Sequence, residues 1–308
     1  MIRKFLTGLT ILLVSLLLVT GAGARELVAH SQGAALPNAP DYDWWYGCSP
    51  TSAGMMMGYY DINGYGGLTY DDLVPGATAE TSNYGNSSAA VNSIIASAGH
   101  IADYWTGYGN SGDDPMAAGH ANNSLADFMG TSQDAFGNSD GATTFFNYTD
   151  GSRLYGSNIQ ALGASYYNRS GMYGMYEYVQ YAGYTIALGS IYNQYTDNYH
   201  GAGFSFEDFK AEIDAGRVVM IHVTGHSMFA YGYDEDGNIL FHDTWTEGEK
   251  SMAWGSYYSG MQLYGVTCFE ISGGDEPGGN AVPEPSTMLL CGLGLLMGSA
   301  AARRRKNS

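Results

Sequence analysis

The chain has 308 residues, with 30 acidic against 12 basic side chains, a formal charge of −18 and a hydrophobic content of 45%. Binding to a phosphate backbone needs clustered Lys and Arg, so the balance excludes an electrostatic nucleic-acid partner. Apolar content of this size, with 26 Tyr, excludes wholesale disorder, and three cysteines cannot build a disulfide framework.

In chain order, Arg3 and Lys4 precede an apolar run from Phe5 to Val19, and Ala22-Gly23-Ala24 supplies the small residues that a signal peptidase reads. Residues 1–24 therefore read as a signal peptide. The alternative is a retained anchor, although the run is shorter than the ~20 residues of a spanning helix. Residues 25–40 are polar and small, without helical or strand periodicity, and read as a spacer. From 41 to 272 no Pro-rich or charged boundary interrupts the chain, so one domain is expected there.

The first expected element of that domain follows Cys48. Ser49-Pro50-Thr51 offers a capping hydroxyl and a proline at a helix start, Ala53, Met56, Met57 and Tyr60 recur at helical spacing, and Asp61 with Gly64 closes the run. The middle, from Asn63 to His200, is rich in Gly, Tyr, Asn, Ser and Asp. It reads as loop-rich, with short helices near Ser88–Ala98, Leu125–Met129 and Met175–Tyr181 and with Tyr and Trp carrying the packing. In the last third, Ser205 and Asp208 form a capping box for an amphipathic helix built on Phe206, Phe209 and Ile213 and stopped by Gly216. Strands are expected at Arg217–Val223, Ser227–Tyr233 and Ile239–Asp243, with further antiparallel strands after Trp245. The expected class is α+β, with a helical first half and a β-rich second half.

Residues 273–281 read as a Gly/Asp/Pro linker. Residues 282–308 then combine Val282-Pro283-Glu284-Pro285, an apolar stretch from Met288 to Ala302, and the basic cluster Arg303, Arg304, Arg305 and Lys306. Such a segment holds a tail in the membrane with its positive end in the cytoplasm. In motif, order and position it resembles the PEP-CTERM sorting signal of Gram-negative bacteria. The resemblance implies exosortase as a partner, transient inner-membrane anchoring of the tail as a transmembrane helix, and delivery to the cell surface or extracellular matrix; a plain single-span anchor is the alternative. Leader and tail hold half of all basic residues, so the stretch 25–282 keeps six basic against 29 acidic residues.

Three residues have the chemistry of a nucleophilic site. Cys48 stands at a helix N-terminus, where the dipole and unpaired N–H groups favour a thiolate. Pairing with Cys268 in a disulfide is the competing use of this thiol. His226 opens one strand of a hairpin and Asp243 ends the other; a turn centred on Asp236 pairs residue 243 near Phe229, which brings carboxylate and imidazole to the same end of the sheet. His222, four residues before His226, lies on a strand, where that spacing does not gather metal ligands. No metal or cofactor is expected.

Gly47-Cys48 at a helix start, Gly225-His226 opening a strand that ends Tyr231-Gly232-Tyr233-Asp234, and Asp243 on the next strand together resemble the papain-like cysteine peptidases, in particular the C39-like branch. The resemblance implies a papain-like fold over 41–272, Cys48 as nucleophile, His226 as base and acid, Asp243 as orienting residue, and a peptide or protein substrate. The family's glutamine, about six residues before the cysteine, is replaced by Tyr42, which either donates to the oxyanion or packs as a core aromatic. Two alternatives share the scaffold: a non-catalytic matrix-binding module, and an acyl transferase using the same three residues.

Overall fold

The computed structural model describes residues 28–30, 33–76, 78–104, 121–133 and 136–271. The expected signal peptide, linker and sorting tail lie outside these residues, as do both expected membrane segments. No helix among the described residues is long and apolar enough to cross a membrane.

The elements run in chain order as β1 (Val28–His30), β2 (Gly33–Ala35), β3 (Asp41–Tyr42), α1 (Cys48–Asn63), β4 (Ser82–Asn83), α2 (Ala89–Ile95), α3 (Ala98–Asp103), α4 (Leu125–Phe128), β5 (Leu154–Tyr155), α5 (Gly156–Leu162), α6 (Ala164–Tyr167) and α7 (Gly171–Tyr181). They continue with β6 (Ile191–Tyr195), α8 (Phe206–Asp214), β7 (Val219–Val223), β8 (His226–Tyr233), β9 (Asn238–His242), β10 (Lys250–Ala253), β11 (Tyr257–Tyr258) and β12 (Met261–Phe269). The class is α+β. One large sheet runs β1-β2-β8-β7-β12-β6-β5, with β9 and β10 added at β8 and β11 at β12. All its strand pairs are antiparallel.

The β8–β9 hairpin forms because Asp234 caps its own turn: its carboxylate accepts the N–H of Asp236 and of Asn238. That leaves Phe229 opposite His242. α8 starts where Ser205 accepts from the Asp208 N–H and the Asp208 carboxylate reaches back to the Ser205 N–H. Side chains alternate across a strand, so Ser227, His222 and Thr267 share one sheet face, against which the start of α1 docks. Tyr192 and Cys268 lie on the other, where Tyr192 meets Phe204, and Phe204 and Phe209 pack at a tilt against Trp254.

Two expectations change here. Part of the stretch read as a spacer is sheet: β2 pairs Ala34 with Tyr233 and Ala35 with Gly232, and Leu36 N–H donates to Tyr231 O. β2 covers the end of β8 that β7 does not reach, so closely that a Cβ on Gly232 would crowd Ala34 O and Ala35, and its own Gly and Ala residues carry no β-branched or aromatic signal. α1 is also not amphipathic. Met55 and Tyr59 are as fully buried as the expected stripe of Ala53, Met56, Met57 and Tyr60, because helices α2 and α4 and β3 close the side of α1 away from the sheet.

Tyrosine packing organises the middle region, as in the run Tyr167, Tyr173 and Tyr176 and the group Phe128, Tyr178 and Tyr181. α4 and α7 cross so closely that a Cβ on Gly174 would overlap the Phe128 backbone. Gly174→Ala is therefore expected to cost ~1–3 kcal/mol through forced separation of the helices. Thermal melting reads this as a drop of about 2–4 °C per kcal/mol; an unchanged Tm would show that the crossing relaxes freely.

On α7, burial pushes the Glu177 carboxyl up to about 7. The folded state then holds this proton more tightly than the unfolded chain. The stabilisation is complete below the unfolded carboxyl range and is lost as pH rises toward about 7. Glu177→Gln is expected to flatten the pH dependence of the urea midpoint over that window and to be the more stable protein on its alkaline side.

Candidate active site

A two-residue turn, Thr224–Gly225 with Gly225 at φ 86, joins β7 to β8, so His226 is the first residue of β8 and pairs with Val223. β9 reaches only to the Phe229–His242 pair. The first residues of β8 therefore present an open edge on that side, and the N-terminus of α1 occupies it. Ser227 is gripped at three points: its hydroxyl lies 2.9 Å from Ser49 Oγ, its carbonyl accepts from the Ser52 hydroxyl at 3.0 Å, and its backbone N–H faces the Cys48 thiol.

α1 begins at Cys48 itself, and its cap lies two residues before the expected Ser49. Gly47 is the N-cap, with φ 147 and no capping side chain. A Cβ there would crowd Pro50 and Thr131. Pro50 has no N–H, and the Thr51 N–H bonds Gly47 O at 3.1 Å. The first turn thus points the N–H groups of Cys48 and Ser49 toward the Cys48 sulfur, using the ordinary anion-binding resource of a helix start.

Cys48 is partly exposed and unpaired; Cys268 is also a free thiol, buried in β12, so no disulfide links them. Burial pushes the Cys48 thiol above its ordinary range, and hydrogen bonding from the Ser227 N–H, the Ser49 side chain and the Ser49 and Cys48 N–H groups offsets this only in part. The expectation of a resting thiolate is corrected accordingly: loss of hydration outweighs the partial charge of the helix end.

His226 donates from Nε2 to the main-chain carbonyl of Asp243 at 2.7 Å. That bond fixes the proton on Nε2 and leaves the Nδ1 lone pair as the base. The Trp245 indole stacks on the imidazole, with centroids 3.8 Å apart and planes at 19°, while staying 44% exposed. Burial pushes His226 down, and the Asp243 carbonyl and charge restore only part of the loss. No hydrogen bond joins the Cys48 sulfur to His226 among the described residues. Cys48 and His226 are neighbours through Ser227.

Asp243 holds the imidazole by its backbone, which corrects the expected carboxylate contact. Thr244 takes the left-handed conformation, φ 66, and the chain turns back at this point. The carboxylate then accepts from the Trp245 and Thr246 N–H groups, both at 2.9 Å, from the Thr246 hydroxyl, and from Tyr258 in a short hydrogen bond. Burial alone would raise its pKa, but these donors outweigh it and hold the group below the usual carboxylate range.

Tyr42 is not brought to the cysteine. It is fully buried, its hydroxyl donates to Glu80 O at 2.8 Å, and it packs against Gly58. Gly58 lies ten residues along α1 from Cys48, or about 15 Å at the helical rise. Of its two sequence-level roles, Tyr42 therefore fills the core one. His222 is no metal ligand either: Nδ1 meets Ser227 Oγ at 3.0 Å and Nε2 meets Thr267 Oγ1 at 2.8 Å.

Sequence reasoning missed Ser49, Ser227 and Trp245 as parts of the site. Their signal was adjacency: Ser49 and Ser227 each follow an expected catalytic residue, and Trp245 lies two residues beyond Asp243. Comparison with known proteins adds one finding: the PEP-CTERM protein-sorting motif matches residues 281–306. No curated protein and no solved structure matches the chain. The C-terminus therefore carries a PEP-CTERM sorting signal, the mark of export and membrane-associated sorting by the exosortase system of Gram-negative bacteria.

Proposed function

We propose that this chain is an exported, papain-like cysteine peptidase of the C39-like type, delivered by its sorting tail to the cell surface or extracellular matrix. The observation that carries the reading is the docking of the Cys48 helix start on Ser227, beside a histidine whose tautomer is set by the Asp243 carbonyl and whose face is covered by Trp245. In the reaction, His226 Nδ1 takes the thiol proton as the Cys48 sulfur attacks the peptide carbonyl carbon. The S–C bond forms and the carbonyl electrons move to oxygen, where the Cys48 and Ser49 N–H groups supply hydrogen bonds. His226 then gives its proton to the leaving amine, and water, activated by the same imidazole, hydrolyses the thioester. The Trp245 face stabilises the imidazolium that forms in between.

An acyl transferase would use the same residues with an amine in place of water. A non-catalytic matrix-binding module is favoured by a different observation: Trp44, Tyr199 and Trp245 are each exposed rings, side chains suited to sugars or apolar groups. Incubation of the purified protein with a peptide library, with the Cys48→Ala variant as control and cleavage read by mass spectrometry, separates the readings. Cysteine-dependent new termini support the peptidase, cysteine-dependent ligated products the transferase, and matrix binding unaffected by the variant, without either product, the module.

A further inference from the structure

Two turns flank His226, the Thr224–Gly225 turn from which it emerges and the Asp243 turn that holds its ring, and one short hairpin is tied to both. Ser259 (φ 48) and Gly260 (φ 81) take successive positive φ values, the two-residue turn that suits the twist of a hairpin. It folds β11 back on β12, pairing Tyr258 with Met261 and Tyr257 with Gln262. On one side Gln262 O accepts the Thr224 N–H at 3.0 Å, so the hairpin holds the first turn. On the other, the Tyr258 hydroxyl donates to Asp243 Oδ2 in a short hydrogen bond. Burial and the adjacent Asp243 carboxylate push this phenol up, so it keeps the proton that makes it a donor.

The Tyr258 ring meets buried Phe241 edge to face, with centroids 5.0 Å apart and planes at 88°. It lies nearly parallel to the Trp245 indole, at 6.2 Å and 24°. Trp245 is 44% exposed, and a side chain so open gains rotamer entropy by leaving its place unless its neighbours hold it. The contacts close a circuit: His226 Nε2 on the Asp243 carbonyl, the Asp243 carboxylate on Tyr258, Tyr258 on Trp245, and Trp245 on His226. We propose that Tyr258 is a positioning residue for His226: its hydroxyl holds the Asp243 turn, and its ring holds Trp245 against the imidazole. This rests on the reading of His226 as the base in the Cys48 reaction.

The test combines two readouts on the full-length protein in detergent. One is kcat and KM on a peptide that the wild type cleaves; the other is carbethoxylation of His226 by diethyl pyrocarbonate, followed residue by residue by mass spectrometry. The reagent needs an unprotonated ring nitrogen within reach, which in His226 is the Nδ1 lone pair. Tyr258→Phe keeps the ring and loses the hydroxyl, and should lower kcat about fivefold with KM unchanged, the weight of one hydrogen bond. Tyr258→Leu loses both and should lower kcat about 30-fold, part of what a positioned general base contributes. In this variant His226 should be carbethoxylated about fivefold faster through local opening, while buried His222, hydrogen-bonded at both ring nitrogens, keeps its wild-type rate. In a Trp245→Ala background the two Tyr258 variants should no longer differ in kcat, because the ring then has nothing to hold. A difference that persists there, an unchanged kcat in Tyr258→Leu, or equal acceleration at His222 and His226 overturns the proposal. If Tyr258→Leu does not fold, Tyr258→Phe with kcat and His226 labelling both unchanged does the same. A wild type that cleaves no peptide removes the peptidase reading, and the labelling contrast between His226 and His222 then decides on Tyr258 alone.

Discussion

Cys48→Ala is expected to lower the rate of peptide cleavage by about 10⁴-fold or more, the scale of loss when a nucleophile is removed from a covalent mechanism. The fold should survive, because the cysteine is partly exposed and the grip on Ser227 by Ser49 and Ser52 does not involve the sulfur. His226→Ala should cost a comparable factor, and the double variant little more, since the two act as one unit. Burial raises the thiol and lowers the imidazole, so the resting pair is neutral. Activity should then follow a broad plateau: it falls on the acid side as His226 becomes protonated and loses its lone pair, and changes on the alkaline side as the thiol ionises. A preformed thiolate–imidazolium pair would instead require a thiol lying below the imidazole. Steady-state kinetics on a cleaved peptide, with melting curves for each variant, test both points. Retention of a tenth or more of the wild-type rate by Cys48→Ala would remove this chemistry from the protein.

The parts of this arrangement that were legible in the sequence are those fixed by local physics. The Ser205–Asp208 box announces α8, the Asp234–Asn238 turn sets the hairpin register to within one residue, and the Cys48 helix is visible from its spacing and its proline. The unreadable parts depend on tertiary context. Whether Asp243 uses its carboxylate or its carbonyl is decided by the φ of Thr244, a residue with no preference for positive φ that would betray it. Whether Cys48 rests as a thiol depends on desolvation by the sheet edge, and no spacing rule contains that edge. Tyr42 occupied the right sequence position for an oxyanion donor, but its ring is drawn into the gap over Gly58. Ala34 and Ala35 form a strand between β1 and β8, so close to β8 that a Cβ on Gly232 would crowd them, and small residues carry no strand signal.

Asp243 gives the second large contrast, because two geometries predict opposite results for one substitution. A carboxylate bonded directly to the imidazole makes Asn at this position costly, about 10⁴-fold in a serine-protease triad, through the wrong tautomer. Here the tautomer is set by the main-chain carbonyl at 2.7 Å, which Asp243→Asn retains. Both N–H groups of the turn bond the same oxygen, Oδ1, so an Asn carbonyl oxygen accepts them unchanged, and its NH₂ faces Tyr258 and Thr246, whose hydroxyls can accept. The loss is the negative charge near the imidazolium, and the expected fall in kcat is tenfold or less, with the acid limb displaced slightly to lower pH because His226 becomes harder to protonate. Asp243→Ala removes every tie of the turn at once. The carbonyl and the Trp245 ring then lose their fixed places, and kcat should fall by about 10²–10³-fold, the scale set by losing a positioned general base. Kinetics of the two variants, each checked by near-UV circular dichroism for the Trp245 environment, decide between the geometries. A loss in Asp243→Asn as deep as in Cys48→Ala would mean that the carboxylate, not the carbonyl, orients the histidine during the reaction.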